Sequence, residues 1–161
     1  MSGMSRRVWF SIGGVAVVIA IGTVLLFSKT SPNPPLPVTL LARIQYKVYF
    51  PDPLPSGYSL DNRSVSYQNG VLFYALKNAE TSNNINVSQQ QKPQQNLMLS
   101  SIVGLNPFKV SLGTAYVGAQ SNTQVGILVT DTTLVNVSGV SDTPASAISG
   151  LMKNLKPVPR S

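Results

Sequence analysis

"YSLDNRSVSYQNGVLFYALKN", residues 58–78, decides how this chain folds. Two runs that alternate apolar and polar side chains flank Asn69-Gly70. Both residues of that dipeptide tolerate positive φ, which a two-residue turn between antiparallel strands requires. The stretch reads as a β-hairpin.

The same period continues on both sides of it. Upstream, "RIQYKVYF" (43–50) places Ile44, Tyr46, Val48 and Phe50 on one face and turns Gln45 and Lys47 away. The proline-rich "PDPLPSG" (51–57) ends that strand. Downstream, "NINVSQQ" (84–90) is a short strand with Ile85 and Val87 inward. "FKVSLG", "TAYVGAQ", "QVGILVT" and "TTLVNVSG", between residues 108 and 139, supply further strands, with Ser121-Asn122 turning a hairpin. Gly113, Gly118 and Gly126 mark turns, bulges or close backbone approach. "QQNLMLSSIVGL" (94–105) is ambiguous in period and leans to a short helix with Leu97, Ile102 and Leu105 toward the core.

"SDTPASAISGLMKNLKP" (141–157) is helical. Thr143 reads as the N-cap and Pro144 as a first-turn proline. Ile148, Leu151, Met152 and Leu155 make one apolar stripe, and Pro157 stops it. Strands followed by one amphipathic helix predict an α+β domain: a curved antiparallel sheet of about 6–8 strands with the C-terminal helix packed on it.

Ahead of this domain lies a different segment. Val8 to Phe27 is a run of twenty residues without a charge, long enough as a helix to cross a bilayer core of roughly 30 Å. A cleaved signal peptide has a shorter apolar region that ends at a small-x-small site. Ala20-Ile21-Gly22 fits such a site formally, but Val24, Leu25, Leu26 and Phe27 prolong the apolar run past it. The segment therefore reads as a retained anchor, and the lipid bilayer is a partner through it. Arg6 and Arg7 precede the span, so the N-terminus is expected in the cytoplasm and the rest of the chain outside the cell membrane. "SPNPPLP" (31–37) holds four prolines and favours an extended spacer. The expected partition is a cytoplasmic N-terminus (1–7), the anchor (8–27), a Pro-rich linker (28–42), an extracytoplasmic domain (43–157) and a tail (158–161).

Composition narrows the chemistry. The chain of 161 residues contains no cysteine and no histidine, so no histidine-based triad, thiolate nucleophile, disulfide or ordinary zinc site is available. It has no S-x-x-K, P-loop or G-x-G-x-x-G motif. The five carboxylates, Asp52, Asp61, Glu80, Asp131 and Asp142, all sit beside turn residues, where they cap or form turns. No cofactor is implied. The net charge of +7 is scattered along the chain, whereas nucleic-acid binding needs a clustered stripe. Asn62-Arg63-Ser64, Asn86-Val87-Ser88 and Asn136-Val137-Ser138 match the glycosylation pattern, which an Asn- and Ser-rich domain also produces by chance.

Two binding readings remain for a non-enzymatic outer module. Tyr49 and Tyr74 are candidates for an exposed protein or envelope partner surface, because their strand neighbours Phe50 and Phe73 take the opposite face. Alternatively, Leu97, Met98, Ile102 and Met152 line an apolar pocket for a lipid or other hydrophobic ligand, although core packing explains them as well. Oligomeric state has no signature in the sequence.

Four segments carry a family resemblance: "YKVYFPDPLPSGYSLDNRSVSYQNGVLFYALKN" (46–78), "INVSQQQKP" (85–93), "LGTAYVG" (112–118) and "GILVTDTTLVNVSG" (126–139). Through them the chain resembles small single-pass membrane proteins of bacteria with reduced genomes. The outer part of that family is similar to a domain of unknown function also found in sporulation-associated and anti-sigma-like membrane proteins. The resemblance implies the strand-and-turn architecture and a bacterial surface location, and it brings no catalytic residues with it.

Overall fold

The computed structural model describes residues 34–93, 102–140 and 142–160. The expected anchor, Val8 to Phe27, lies outside them. Among the described residues no helix is long and apolar enough to cross a membrane.

The described chain is mostly β. A one-turn helix α1 (Val38–Leu41) leads into β1 (Tyr49–Pro51), and β2 (Tyr58–Gln68), β3 (Val71–Asn78) and β4 (Asn84–Gln91) follow as a meander. A second meander comprises β5 (Asn106–Val110), β6 (Gly113–Gln120), β7 (Thr123–Val129) and β8 (Thr133–Gly139). Helix α2 (Ala145–Lys153) and β9 (Leu155–Pro157) complete the chain. The two meanders join through β4 and β8 into one antiparallel seven-stranded sheet, ordered β2-β3-β4-β8-β7-β6-β5, and β1 pairs with β9 in a separate two-stranded sheet. Asn69 and Gly70 have φ of 51° and 79°, and Ser121 and Asn122 have 50° and 62°, so both expected hairpin turns form with positive φ at their two central residues.

One face of the seven-stranded sheet is closed. Leu72, Tyr74 and Leu76 on β3, Ile85 and Val87 on β4, Val135 and Val137 on β8 and Leu128 on β7 point into the main core. Two covers lie over them. Helix α2 packs on β6, β7 and β8 through Ile148, Leu151 and Met152. A Cβ added at Gly126 of β7 would stand 2.7 Å from Ile148 and 2.8 Å from Met152, so the glycine sets how closely the helix approaches. The other cover is a strap, residues 36–51, that crosses β3, β4 and β8. Tyr46 donates its hydroxyl hydrogen to the Gln89 carbonyl and accepts from the Leu72 N–H at 3.1 Å. Gln89, fully buried, accepts from the Tyr49 N–H at 2.9 Å and donates to the Tyr49 carbonyl at 2.6 Å. Thr133 donates its hydroxyl to the Lys47 carbonyl at 2.7 Å.

This strap corrects the expected domain limits. The linker was expected to run to residue 42, but Leu36 and Leu41 are 1% and 3% exposed and belong to the main core. The compact unit begins at Pro34. The proline-rich composition fixes backbone angles without saying whether neighbouring leucines find a surface, and here they do. The expected tail is likewise part of the fold: Val158 joins the core, and the Arg160 guanidinium donates to the Tyr46 carbonyl. The predicted strand over 43–50 shrinks to β1, although Ile44, Tyr46 and Val48 are buried and Gln45 and Lys47 exposed as the alternation requires.

The last helix also differs. Pro144, not Thr143, holds the N-cap position, and no side chain caps the helix. Thr143 is 2% exposed against Gly139, and its hydroxyl has no hydrogen-bond partner. The helix ends at Lys153, and Leu155 continues the apolar stripe from β9 instead.

Candidate functional site

The sheet's other face carries the cavity of interest. Period-2 geometry turns Phe73 and Ala75 of β3, Asn86 and Ser88 of β4, Asn136 and Ser138 of β8, and Val125 and Ile127 of β7 to this side, opposite the core-facing set. They line a trough of about 510 Å3. Strand register arranges them in two rows. One runs Phe73, Ser88, Asn136, Ile127, and the other runs Ala75, Asn86, Ser138, Val125.

The centre of the trough is a polar tetrad. Asn86 pairs with Ser138 and Ser88 pairs with Asn136 across the β4–β8 ladder, with the core-facing pair Val87 and Val137 between them. Two N-V-S segments on antiparallel strands thus place two carboxamides and two hydroxyls on alternate corners of a square. Cross-strand neighbours in such a ladder stand about 5 Å apart. Asn86 is exposed and the other three are half-buried. Apolar walls flank the tetrad: Phe73, 44% exposed, with Ala75 on one side, and Val125 with Ile127 on the other. At one end Ser64 is held by its own bonds, donating to the Asp61 carbonyl at 2.6 Å and accepting the Ala75 N–H at 2.7 Å.

Among the described residues, no carboxylate, ammonium or guanidinium group lines the trough. The charges lie elsewhere, and several are paired. Lys47 meets Asp131 at 2.9 Å, Lys77 meets Asp61 at 2.7 Å and Lys156 meets Asp52 at 3.0 Å. The hydrogen bond from Lys77 holds the Asp61 carboxyl below its ordinary range, and the one from Lys47 does the same for Asp131. Three of the five carboxylates therefore tie strands and turns together. No group of three or more His, Cys, Asp or Glu that could hold a metal ion occurs among the described residues.

The tyrosines expected at a partner surface are in the core instead. Tyr49 and Tyr74 are each 2% exposed. Tyr74 packs its ring 5.4 Å from that of Phe50 and donates its hydroxyl to the Tyr49 carbonyl at 3.3 Å. Burial raises its pKa. Alternation misleads at Tyr49 because β1 is covered on both sides, so it has no solvent face. At β3 both parities are apolar near the turn, and the polar end decides: Lys77 shares its parity with Phe73, which puts Phe73 and not Tyr74 toward water.

Of the expected apolar pocket, Met152 and Ile102 do not come together. Leu97 and Met98 lie outside the described residues. Met152 is buried in the main core, whereas Ile102 packs on the opposite face with Leu105, Ile127 and Leu134. The trough residues themselves were visible in the sequence as the paired N-V-S segments, whose i, i+2 spacing on a strand always presents Asn and Ser together.

No family model, curated protein or solved structure matches this chain.

Proposed function

We propose that this chain is a membrane-anchored extracytoplasmic module, without catalytic activity, that binds a partner in the cell envelope through the open face of its sheet. The observation that carries the reading is the asymmetry of the two faces. The strap and α2 cover one face and bury the apolar side chains of its inner strands, and the other presents, among the described residues, a trough with neutral hydrogen-bonding groups and an exposed aromatic edge. A sheet face of that composition suits recognition: apolar walls supply contact area and a few placed polar groups set orientation. The charge-free run Val8 to Phe27, with Arg6 and Arg7 ahead of it, supports anchoring with the domain outside. The absence of His and Cys from the sequence and the pairing of Asp52, Asp61 and Asp131 support binding over chemistry.

A photo-crosslinking residue placed at Phe73 in the full chain, in intact cells, tests this. Val38 is the matched control, since it is 46% exposed against 44% for Phe73 and lies in α1, away from the trough. Discrete adducts from position 73 alone are expected. The same adducts from both positions, or none from either, would remove the open face as the binding surface.

A further inference from the structure

We infer that the ligand of the trough is an uncharged, polyhydroxylated chain, a neutral glycan, held by Asn86, Ser88, Asn136 and Ser138 with Phe73 as a stacking edge. This deepens the reading above and rests on it. Three features of the site select that chemistry.

The first is electrostatic. The chain carries a net charge of +7, yet no charged group among the described residues lines the trough. An anionic or cationic ligand would give up its hydration there without meeting a countercharge, which is costly. A neutral polar ligand incurs no such cost.

The second is the hydrogen-bonding inventory. Each carboxamide offers two N–H donors and a carbonyl acceptor, and each hydroxyl both donates and accepts. Hydroxyl groups of a sugar likewise donate and accept, so either partner can take either role at each corner of the tetrad. The local two-fold arrangement about Val87 and Val137 presents the same Asn–Ser pair in two opposite orientations, which suits a ligand of repeated units. Phe73 stands beside Ser88 in register, so an apolar ring face lies next to a polar corner. A pyranose has that amphipathic form, with C–H groups on its faces and hydroxyls on its rim.

The third feature discriminates against a peptide. Peptides that bind sheets add a strand at an edge and use main-chain hydrogen bonds. β4 and β8 are the interior of the sheet, paired on both sides, so the trough offers side chains rather than a strand edge.

The test uses the full chain in detergent micelles, titrated with cellohexaose, maltohexaose and chitohexaose. A hyaluronan oligosaccharide serves as the anionic probe and a Gly/Ser/Asn peptide as the peptide probe. At least one neutral glycan should bind, with affinity unchanged between about 50 mM and 500 mM salt, since no ion pair is screened. Asn86→Ala and Asn136→Ala should each weaken it about tenfold, and Phe73→Ala similarly. Ser138→Ala gives a smaller replacement on the same tetrad, and an unchanged melting temperature marks each variant as folded. The inference is overturned by no neutral glycan binding, by binding that survives the Asn86→Ala/Asn136→Ala double variant, or by preference for the anionic or peptide probe. Adducts at position 73 in cells together with a negative glycan titration would sink only this inference. Loss of both results removes the binding surface as well.

Discussion

Gln89 and Thr143 are both buried polar side chains, and their partners differ. The Gln89 amide replaces a missing ladder partner for β1, satisfying the N–H and the carbonyl of Tyr49 at once. Gln89→Leu should leave the Tyr49 N–H unpaired and its carbonyl with only the longer bond from the Tyr74 hydroxyl, and cost about 1–3 kcal/mol of stability, read from urea denaturation. The Thr143 hydroxyl has no partner. Thr143→Val keeps the shape and removes the orphan oxygen, so it should be neutral or stabilising by up to about 1 kcal/mol. A clear loss in the same assay would show that the hydroxyl matters. Tyr46 adds a pH dependence. Burial, the main cause, pushes its pKa up to about 12, from 10.0 in an unperturbed tyrosine. Above pH 10 the unfolded chain releases a proton that the folded chain keeps. The stabilisation is complete below pH 10 and is lost as pH rises toward 12. Tyr46→Phe should flatten the fall in urea midpoint between those two pH values.

Among the elements, the hairpins were the most legible part of the sequence and the strap the least. Asn69-Gly70 and Ser121-Asn122 specify their turns locally, because few residues accept positive φ. Strands β2 to β8 follow from period-2 runs between such turns. The strap escaped because its residues make few regular backbone pairs; what fixes it is where Leu36, Leu41 and Tyr46 find apolar surface, a tertiary fact. Tyr49 and Tyr74 failed as surface residues for the same reason, since alternation gives two faces but not which one another layer will cover. The trough was half-visible: the N-V-S segments are plain in the sequence, but their meeting across β4 and β8 depends on a join between two distant meanders. Gly126 holds α2 close to β7, and Gly126→Ala should strain that packing by about 1–3 kcal/mol, measured as a lower melting temperature. Lys77 ties β3 to Asp61 of β2. The Asp61 pKa is lowered in the fold, so this contribution is present above the ordinary carboxylate range and is lost as pH falls through the folded value. Asp61→Asn should therefore reduce the loss of melting temperature on acidification.

At the scale of the molecule, one sheet separates a closed side from an open one. The closed side includes the stretch that leads from the proposed anchor, and the C-terminal β9 and Arg160 fasten that stretch by pairing with β1 and Tyr46. A chain beginning at residue 52 would expose Leu72, Leu76 and Ile85 and should not fold cooperatively, whereas one beginning at residue 34 should; thermal melting by circular dichroism separates the two. The open side carries the proposed function, and the lack of native cysteine allows it to be probed one position at a time. The most direct measurement is the rate at which a membrane-impermeant maleimide labels Asn136→Cys and Val38→Cys in intact cells and in the purified full chain. Both positions should label without permeabilisation, position 136 should be protected relative to position 38 in cells, and purification should remove the protection. Labelling only after the membrane is opened would place the domain inside the cell, and equal relative rates in cells and in the purified chain would remove the open face as the binding surface.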